Sequence, residues 1–362
     1  MVRVSLRITL PLLTALACSD RYIGPRRGVD PLANVPDRGL PSAPAPAPLP
    51  ARTTCAGRIG LTGTQQWSVT HEGRTRSYRV HLPPGYDATR PTPAVFAFHG
   101  YASDEHELEA LSGLNPEADA SGFIVVYPRG LNRTELTGGS APGDEDTRAW
   151  NAGICCGPAR DEHVDDVGFV DTLLADLDTR VCLDPRRLYA TGFSNGAFLA
   201  YRLACERSAH FAAIAPVAGA EGHGPCEPGR PVPVMHFHGT DDATIRYPGG
   251  THELLSAPYP SAAESVARWA ERDGCTGNPS NTYARGDSAC DTYAPCARNA
   301  AVTLCTSRGA GHTWPGGLVP PDLGATTRDL DATREMWRFF AAHPLSGPAS
   351  GPVSGPASGP AP

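Results

Sequence analysis

The ten residues Leu188-Tyr189-Ala190-Thr191-Gly192-Phe193-Ser194-Asn195-Gly196-Ala197 constrain this chain more than any other stretch. Residues 188–190 suit a short buried strand, and 197–203 suit a helix with one apolar face. Between them, Gly192-Phe193-Ser194-Asn195-Gly196 has the G-x-S-x-G spacing of a nucleophile elbow. A serine hydroxyl attacks well only when a sharp, strained turn thrusts it out of the sheet. Small residues two before and two after it let strand and helix pass without a clash. A helix starting near Asn195 also aims free backbone N–H groups at an oxyanion formed beside the serine. The bland alternative is a glycine-rich turn, but a strand before and a helix after favour Ser194 as a nucleophile.

The surrounding pattern alternates in type. Residues 67–70 and 77–82 suit a hairpin, and apolar runs at 93–98, 123–127, 188–191, 211–217, 232–237 and 301–306 suit buried strands. Helical periodicity falls at 105–111, 167–177, 197–205, 262–272 and 327–342. Alternation of this kind predicts an α/β fold, a mostly parallel central sheet with helices on both faces. One body over 55–343 holds all of it, and nothing marks a second folded domain.

A serine nucleophile needs a base, and the base needs an orienting acid. Residues 232–237 run into His238-Gly239-Thr240-Asp241-Asp242, which offers two acids; the plain alternative for either is a turn or cap. Residues 301–306 run into Gly309-Ala310-Gly311-His312-Thr313-Trp314, so His312 follows in the order Ser, acid, His. The plain alternative for His312 is a solvated loop histidine. Phe98-His99-Gly100-Tyr101 puts a glycine turn where a second oxyanion donor would lie. The oxyanion hole is therefore assigned to the backbone N–H groups of Tyr101 and Asn195, with His99 a packed support for that turn.

The ends read differently from the body. Arg3 and Arg7, the apolar run 8–17 and Ala17-Cys18 suit an export signal over 1–18, too short to span a bilayer. Ala15-Leu16-Ala17-Cys18 resembles a bacterial lipoprotein signal, with Ala15 where leucine is usual; free secretion is the alternative. Residues 19–54 are Pro/Ala-rich and suit a disordered tether, and 344–362 repeat Ser-Gly-Pro as a disordered tail. The formal charge of −7 gives no electrostatic case for nucleic acid. The only membrane contact expected is a lipid on Cys18.

Eleven cysteines, less Cys18, leave an even ten in an apparently exported chain, which favours disulfides over metal or redox chemistry. Adjacent Cys155 and Cys156 would close only a strained ring and are expected to reach separate partners among Cys55, Cys182, Cys205 and Cys226. Cys275, Cys290, Cys296 and Cys305 form a local group before His312. Residues 131–162 are long, polar and cysteine-bearing, and are expected to cover the active site. Trp150 and Trp314 are candidate walls for an acyl group, with packing in the core the alternative. Asp144-Glu145-Asp146 reads as a solvated loop rather than a calcium site.

Taken together, Phe98-His99-Gly100, Trp150-Asn151-Ala152-Gly153 with Cys155-Cys156-Gly157, Val164-Asp165-Asp166-Val167, the elbow, and Gly311-His312-Thr313-Trp314-Pro315-Gly316-Gly317 resemble a known group. It is the secreted polyhydroxybutyrate depolymerase and feruloyl esterase group of carbohydrate esterase family one. The resemblance spans essentially the whole body. It implies an α/β-hydrolase fold, ester hydrolysis without a cofactor, and as acid the aspartate four residues after the histidine of His-Gly-Thr, here Asp242. The chain departs from the group at Tyr101-Ala102-Ser103, where further glycines are usual, which would narrow the oxyanion side. The expected substrate is an ester on polysaccharide or polyester, feruloyl-type esters on xylan first, polyhydroxybutyrate or acetylxylan as alternatives. A peptidase on the same fold is disfavoured because the sequence shows no large propeller or cap domain to select peptides, and a glycan-binding lipoprotein with an unused hydrolase fold is the non-enzyme alternative.

Overall fold

A computed structural model describes residues 55–139, 147–319 and 321–345. The expected export signal, tether, Asp144-Glu145-Asp146 run and the tail from 346 onward lie outside the described residues. Ten strands form one sheet: β1 Gly63–His71, β2 Arg74–Leu82, β3 Thr92–Phe98, β4 Ile124–Pro128, β5 Leu183–Phe193, β6 Ala213–Val217, β7 Val234–Gly239, β8 Ser280–Arg285, β9 Ser288–Tyr293 and β10 Val302–Ser307. Their order is β1-β2-β4-β3-β5-β6-β7-β10-β9-β8. The pairings from β4 through β10 are parallel; β1–β2, β2–β4, β10–β9 and β9–β8 are antiparallel.

The helices are α1 Glu105–Ser112, α2 Leu114–Ser121, α3 Arg133–Thr137, α4 Gly157–Asp161, α5 Asp166–Arg180, α6 Asn195–Glu206, α7 Ala262–Arg272 and α8 Ala332–Ala342. The sheet separates two cores, which explains the continuous apolar runs of its central strands. On β3, Ala94, Phe96 and Phe98 meet residues of α5, α6 and α7 on one face. Val95 and Ala97 meet α1, α2 and α8 on the other. The α/β-hydrolase architecture is thus present, mostly parallel and covered on both faces.

Local chemistry sets the helix starts. The Asp104 carboxylate accepts from the amides of His106 and Glu107 to open α1. Ser261 and Glu264 form a reciprocal capping box at α7. Helix α8 begins at Ala332 rather than 327, because Asp331 caps it by accepting from the Arg334 amide. The sequence also hides elements. Strand β8 is largely exposed and β9 buries only Ser288 and Cys290, so the hairpin carries no strong apolar alternation, and short α2 buries only Leu114 and Ala118. Leu345, assigned from sequence to the tail, is held instead: its amide donates to Arg186 O at 2.8 Å, and Arg186 Nε donates back to Leu345 O at 2.9 Å.

The cysteine expectations are partly overturned. Cys155 and Cys156 bond to each other, across a non-proline cis peptide that brings their Cα atoms to 3.1 Å. Separate partners are ruled out because Cys55 pairs with Cys182 and Cys205 with Cys226. The local group divides into Cys275–Cys296 and Cys290–Cys305, the latter joining directly paired residues of β9 and β10. Bridges of this kind typically contribute about 2–4 kcal/mol each by restricting the unfolded chain. Thiol titration of the denatured, unreduced protein should therefore find none of these ten cysteines free; two or more reactive thiols among them would contradict this pairing.

Candidate active site

The strand order turns about β3, with β4 on one side and β5 on the other. Crevices for ligands open at such a switch point, at the carboxyl ends of the parallel strands. Gly100 follows β3, Ser194 follows β5, Asp242 follows β7 and His312 follows β10.

Ser194 sits at φ 53° and ψ −117°, a left-handed conformation that non-glycine residues rarely adopt. The turn is fixed from both sides. The Ser194 amide donates to Val217 O at 2.9 Å, while its own carbonyl accepts from Ala197 and Phe198 to start α6. Crowding explains the two glycines. A Cβ on Gly192 would lie 2.4 Å from the Gly196 carbonyl carbon, and one on Gly196 would lie 2.0 Å from Phe98 O. Asn195 is the first residue of α6, so its amide has no carbonyl one turn earlier to bond.

The Asn195 side chain is buried and does work the sequence reading missed. Its Oδ1 accepts from the Trp150 amide at 2.7 Å, and its Nδ2 donates to Trp150 O at 3.1 Å. The 150–156 loop thereby fixes the start of α6. On the other side of the site, His99 supports the Gly100-Tyr101 turn. Its Nε2 accepts from the Gly130 amide at 2.9 Å, so the hydrogen lies on Nδ1, which donates to Gly100 O at 2.8 Å. Burial lowers its pKa to about 3, so the ring is a neutral strut.

His312 Nδ1 and Asp242 Oδ2 lie 2.7 Å apart, a direct and buried hydrogen bond. Asp242 Oδ1 accepts from the amides of Thr244 at 2.9 Å and Ile245 at 2.8 Å. Burial would raise this carboxyl, but hydrogen bonding from His238 and His312 outweighs it and holds it at about 2. Since that lies below its ordinary 3.8, the ionised group stabilises the fold above about pH 4, and the contribution is lost as pH falls toward 2. Neighbouring Asp241 is exposed, and among the described residues its carboxylate accepts from the Thr240 hydroxyl at 2.9 Å. Of the two acids that the sequence offers, the structure brings Asp242 to His312.

Ser194 and His312 line one cavity of about 610 Å³. Its other walls include Tyr101, Leu111, Leu254, Leu318, Val319 and Leu323. Leu318 is 60% exposed and Val319 40%, an apolar rim at the mouth. Trp150 and Trp314, expected as possible walls, are both 0% exposed and belong to the core. Their indole N–H groups are satisfied internally, by His99 O and by the Thr333 hydroxyl. The 131–162 segment likewise does not cover the cavity among its described residues. It backs the Tyr101 ring, with Gly157 so close that a Cβ there would lie 2.5 Å from the ring. The apolar Leu318-Val319 pair in a Gly/Pro-rich loop was the one sequence signal for the true walls.

The model of the Esterase family matches residues 70–313, most of the body. The chain belongs to this family of ester hydrolases. Feruloyl esterase B of Piromyces equi is 30% identical over 257 residues, covering 68% of this chain and 44% of that protein. The chain therefore spans less than half the length of that relative. The protein named "Putative esterase NocK" of Nocardia uniformis subsp. tsuyamanensis is 30% identical over 321 residues, covering 80% of this chain and 89% of its own. Among solved structures, the acetyl xylan esterase from Aspergillus awamori superposes with a TM-score of 0.52 at 13% identity, covering 77% of this chain and 99% of its own. That likeness is one of fold.

The crowding at the elbow gives a direct test within this esterase. Gly196→Ala must push backbone apart, because the atom it meets is a strand carbonyl and not a flexible side chain. Chemical denaturation should show a loss of at least about 1–3 kcal/mol, whereas Gly60→Ala, in open space, should change stability little.

Proposed function

We propose that this esterase is an exported serine hydrolase acting through an acyl-enzyme on feruloyl-type esters attached to xylan. The observation that carries the reading is the shared cavity: a strained, partly exposed Ser194 beside a His312 whose other ring nitrogen is bonded to a buried, ionised Asp242. In the forward step His312 Nε2 takes the Ser194 Oγ proton as Oγ attacks the ester carbonyl. Asp242 accepts from Nδ1–H, fixing the tautomer and stabilising the imidazolium. The amides of Tyr101 and Asn195 hold the oxyanion; losing one such donor typically costs about 10²–10³ in rate. His312 then returns the proton to the departing alcohol, and water repeats the sequence to release the acid.

Three features support the substrate class. A cavity of about 610 Å³ with apolar walls is much larger than an acetyl group needs and suits an aromatic acyl group. The relative from Piromyces equi bears the name feruloyl esterase, and a more distant one from Neocallimastix patriciarum is named a bifunctional acetylxylan esterase/xylanase. Export rests on the signal-like residues 1–18 and on five disulfides, which persist in oxidising compartments. Residues 19–54 then serve as a tether from Cys18, and the segment beyond 345 as a tail.

Ser194→Ala should abolish hydrolysis of methyl ferulate with an unchanged melting temperature; near-normal turnover would remove the serine mechanism. On a panel of methyl ferulate, acetylated xylan and polyhydroxybutyrate, the ferulate should give the highest kcat/KM, and a preference for acetyl esters or polyester would reassign the substrate. The two adjacent acids separate as well. Asp242→Asn should lower kcat by about 10⁴, since it favours the wrong histidine tautomer, while Asp241→Asn should leave kcat within about threefold. The reverse result would contradict the geometry described above.

A further inference from the structure

Three buried side chains behind the acid take no part in the chemistry just described. His236 and His238 alternate with Phe237 on β7, so both rings point to the face covered by α6 and α7. The rings are stacked with centroids 5.2 Å apart, and Tyr201 of α6 reaches them from the helix side. The contacts form a line: Tyr201 Oη to His236 Nδ1 at 2.8 Å, His236 Nε2 to His238 Nδ1 at 2.9 Å, and His238 Nε2 to Ile245 O at 2.6 Å. His238 Nε2 also lies 3.4 Å from Asp242 Oδ2.

Donor and acceptor chemistry orients this line. A carbonyl oxygen only accepts, so His238 Nε2 carries a hydrogen. His236, kept neutral by burial, has one hydrogen to share; where His238 Nδ1 accepts, His236 Nε2–H donates to it and His236 Nδ1 accepts from the Tyr201 hydroxyl. Burial favours the neutral ring strongly at His236, and it keeps the Tyr201 hydroxyl protonated. Every hydrogen bond therefore donates toward the Asp242–Ile245 turn, and no ring nitrogen is left unsatisfied.

That turn is where the acid gains its geometry. Ile245 donates its amide to Asp242 Oδ1 and gives its carbonyl to His238. His238 thus grips the residue that grips the carboxylate, and its Nε2 lies 3.4 Å from Oδ2, the oxygen bonded to His312.

We infer that His238 is a positioning residue for the acid, held in its tautomer by a one-way relay from Tyr201 through His236, and that it acts on the serine only through Asp242. This inference rests on the Ser194 reading above but needs no knowledge of the natural ester. Its loss would let the 242–245 turn relax, so the carboxylate would meet His312 less well. Buried networks of this kind act as units rather than as sums of pairs.

The test is the rate at which a fluorophosphonate labels Ser194 in the full chain, alongside kcat and KM on methyl ferulate and the melting temperature. His238→Leu should slow labelling at least about tenfold and lower kcat with KM unchanged. His238→Gln, whose amide can donate from nearly the same place as Nε2, should stay within about threefold of the parent. Adding His238→Leu to Asp242→Asn should slow labelling no further, because residues that act through one another are not additive. Equal labelling of His238→Leu and the parent would overturn the inference, as would an equal defect in the Gln variant or an additive double mutant. Should His238→Leu not fold, Tyr201→Phe decides: labelling about threefold slower supports the relay, and parental labelling overturns it. A parent protein that is not labelled at Ser194 would instead overturn the serine reading itself.

Discussion

The close passage of β5 over α6 beneath the end of β3 is the constraint on which the site depends. At Gly196 the helix backbone runs against Phe98 O with no room for a single carbon atom. This contact sets where α6 begins, and hence where the Asn195 amide points. It also forces Ser194 into a left-handed turn at the crest of the sheet. The strain is supported by ordinary means: a strand-to-strand hydrogen bond to Val217, two helix-starting bonds, and the Asn195 side chain clasping both backbone groups of Trp150. A strained residue persists only where its surroundings over-determine it, and here four neighbours do so.

The second organising device is the burial of neutral histidines around one buried charge. His99 and His236 are kept uncharged by desolvation, and each serves as a directional connector between groups of fixed polarity. Asp242 is the opposite case. Two amides and two imidazoles surround it, so it stays ionised in a setting that would otherwise neutralise it. Environment thus holds one carboxylate ionised at the site, while burial keeps the His99 and His236 rings neutral behind it. Apolar side chains of Leu111, Leu254 and Leu323 line the cavity that Ser194 and His312 share.

Much of this was legible in the sequence, and the boundary between legible and hidden has a physical basis. Ser194, Asp242 and His312 could be read because each follows a buried strand, and strand ends in a parallel sheet converge on one edge. The family's spacing selected Asp242 over Asp241, and hydrogen-bond geometry agrees. What failed depended on side-chain direction or on contacts between distant loops. Trp150 and Trp314 sit in motifs beside the site, yet a residue's neighbourhood in sequence does not say whether its ring faces the cavity or the core. The cavity walls come from α1, from the loop near 254 and from Leu318, Val319 and Leu323, which share no local pattern. The Cys155–Cys156 pair was misread because a ring between neighbours is disfavoured in general, and only the actual backbone shows it closed. The β8–β9 hairpin was missed because β8 is mostly exposed and β9 buries only a serine and a cysteine, which leaves no apolar alternation to read.

Both ends of the described chain are fastened at the same place. Cys55 is bonded to Cys182, just before β5, and Leu345 is hydrogen-bonded to Arg186 near its beginning. Ser194 stands at the far end of that strand, eight residues on from Arg186, or roughly 25 Å away at the usual rise of an extended chain. Both fastenings therefore act at the base of β5, at the opposite end of that strand from Ser194. A pull or a cut at either end of the described chain would load the start of β5 first and reach the Ser194 turn only through the length of the strand.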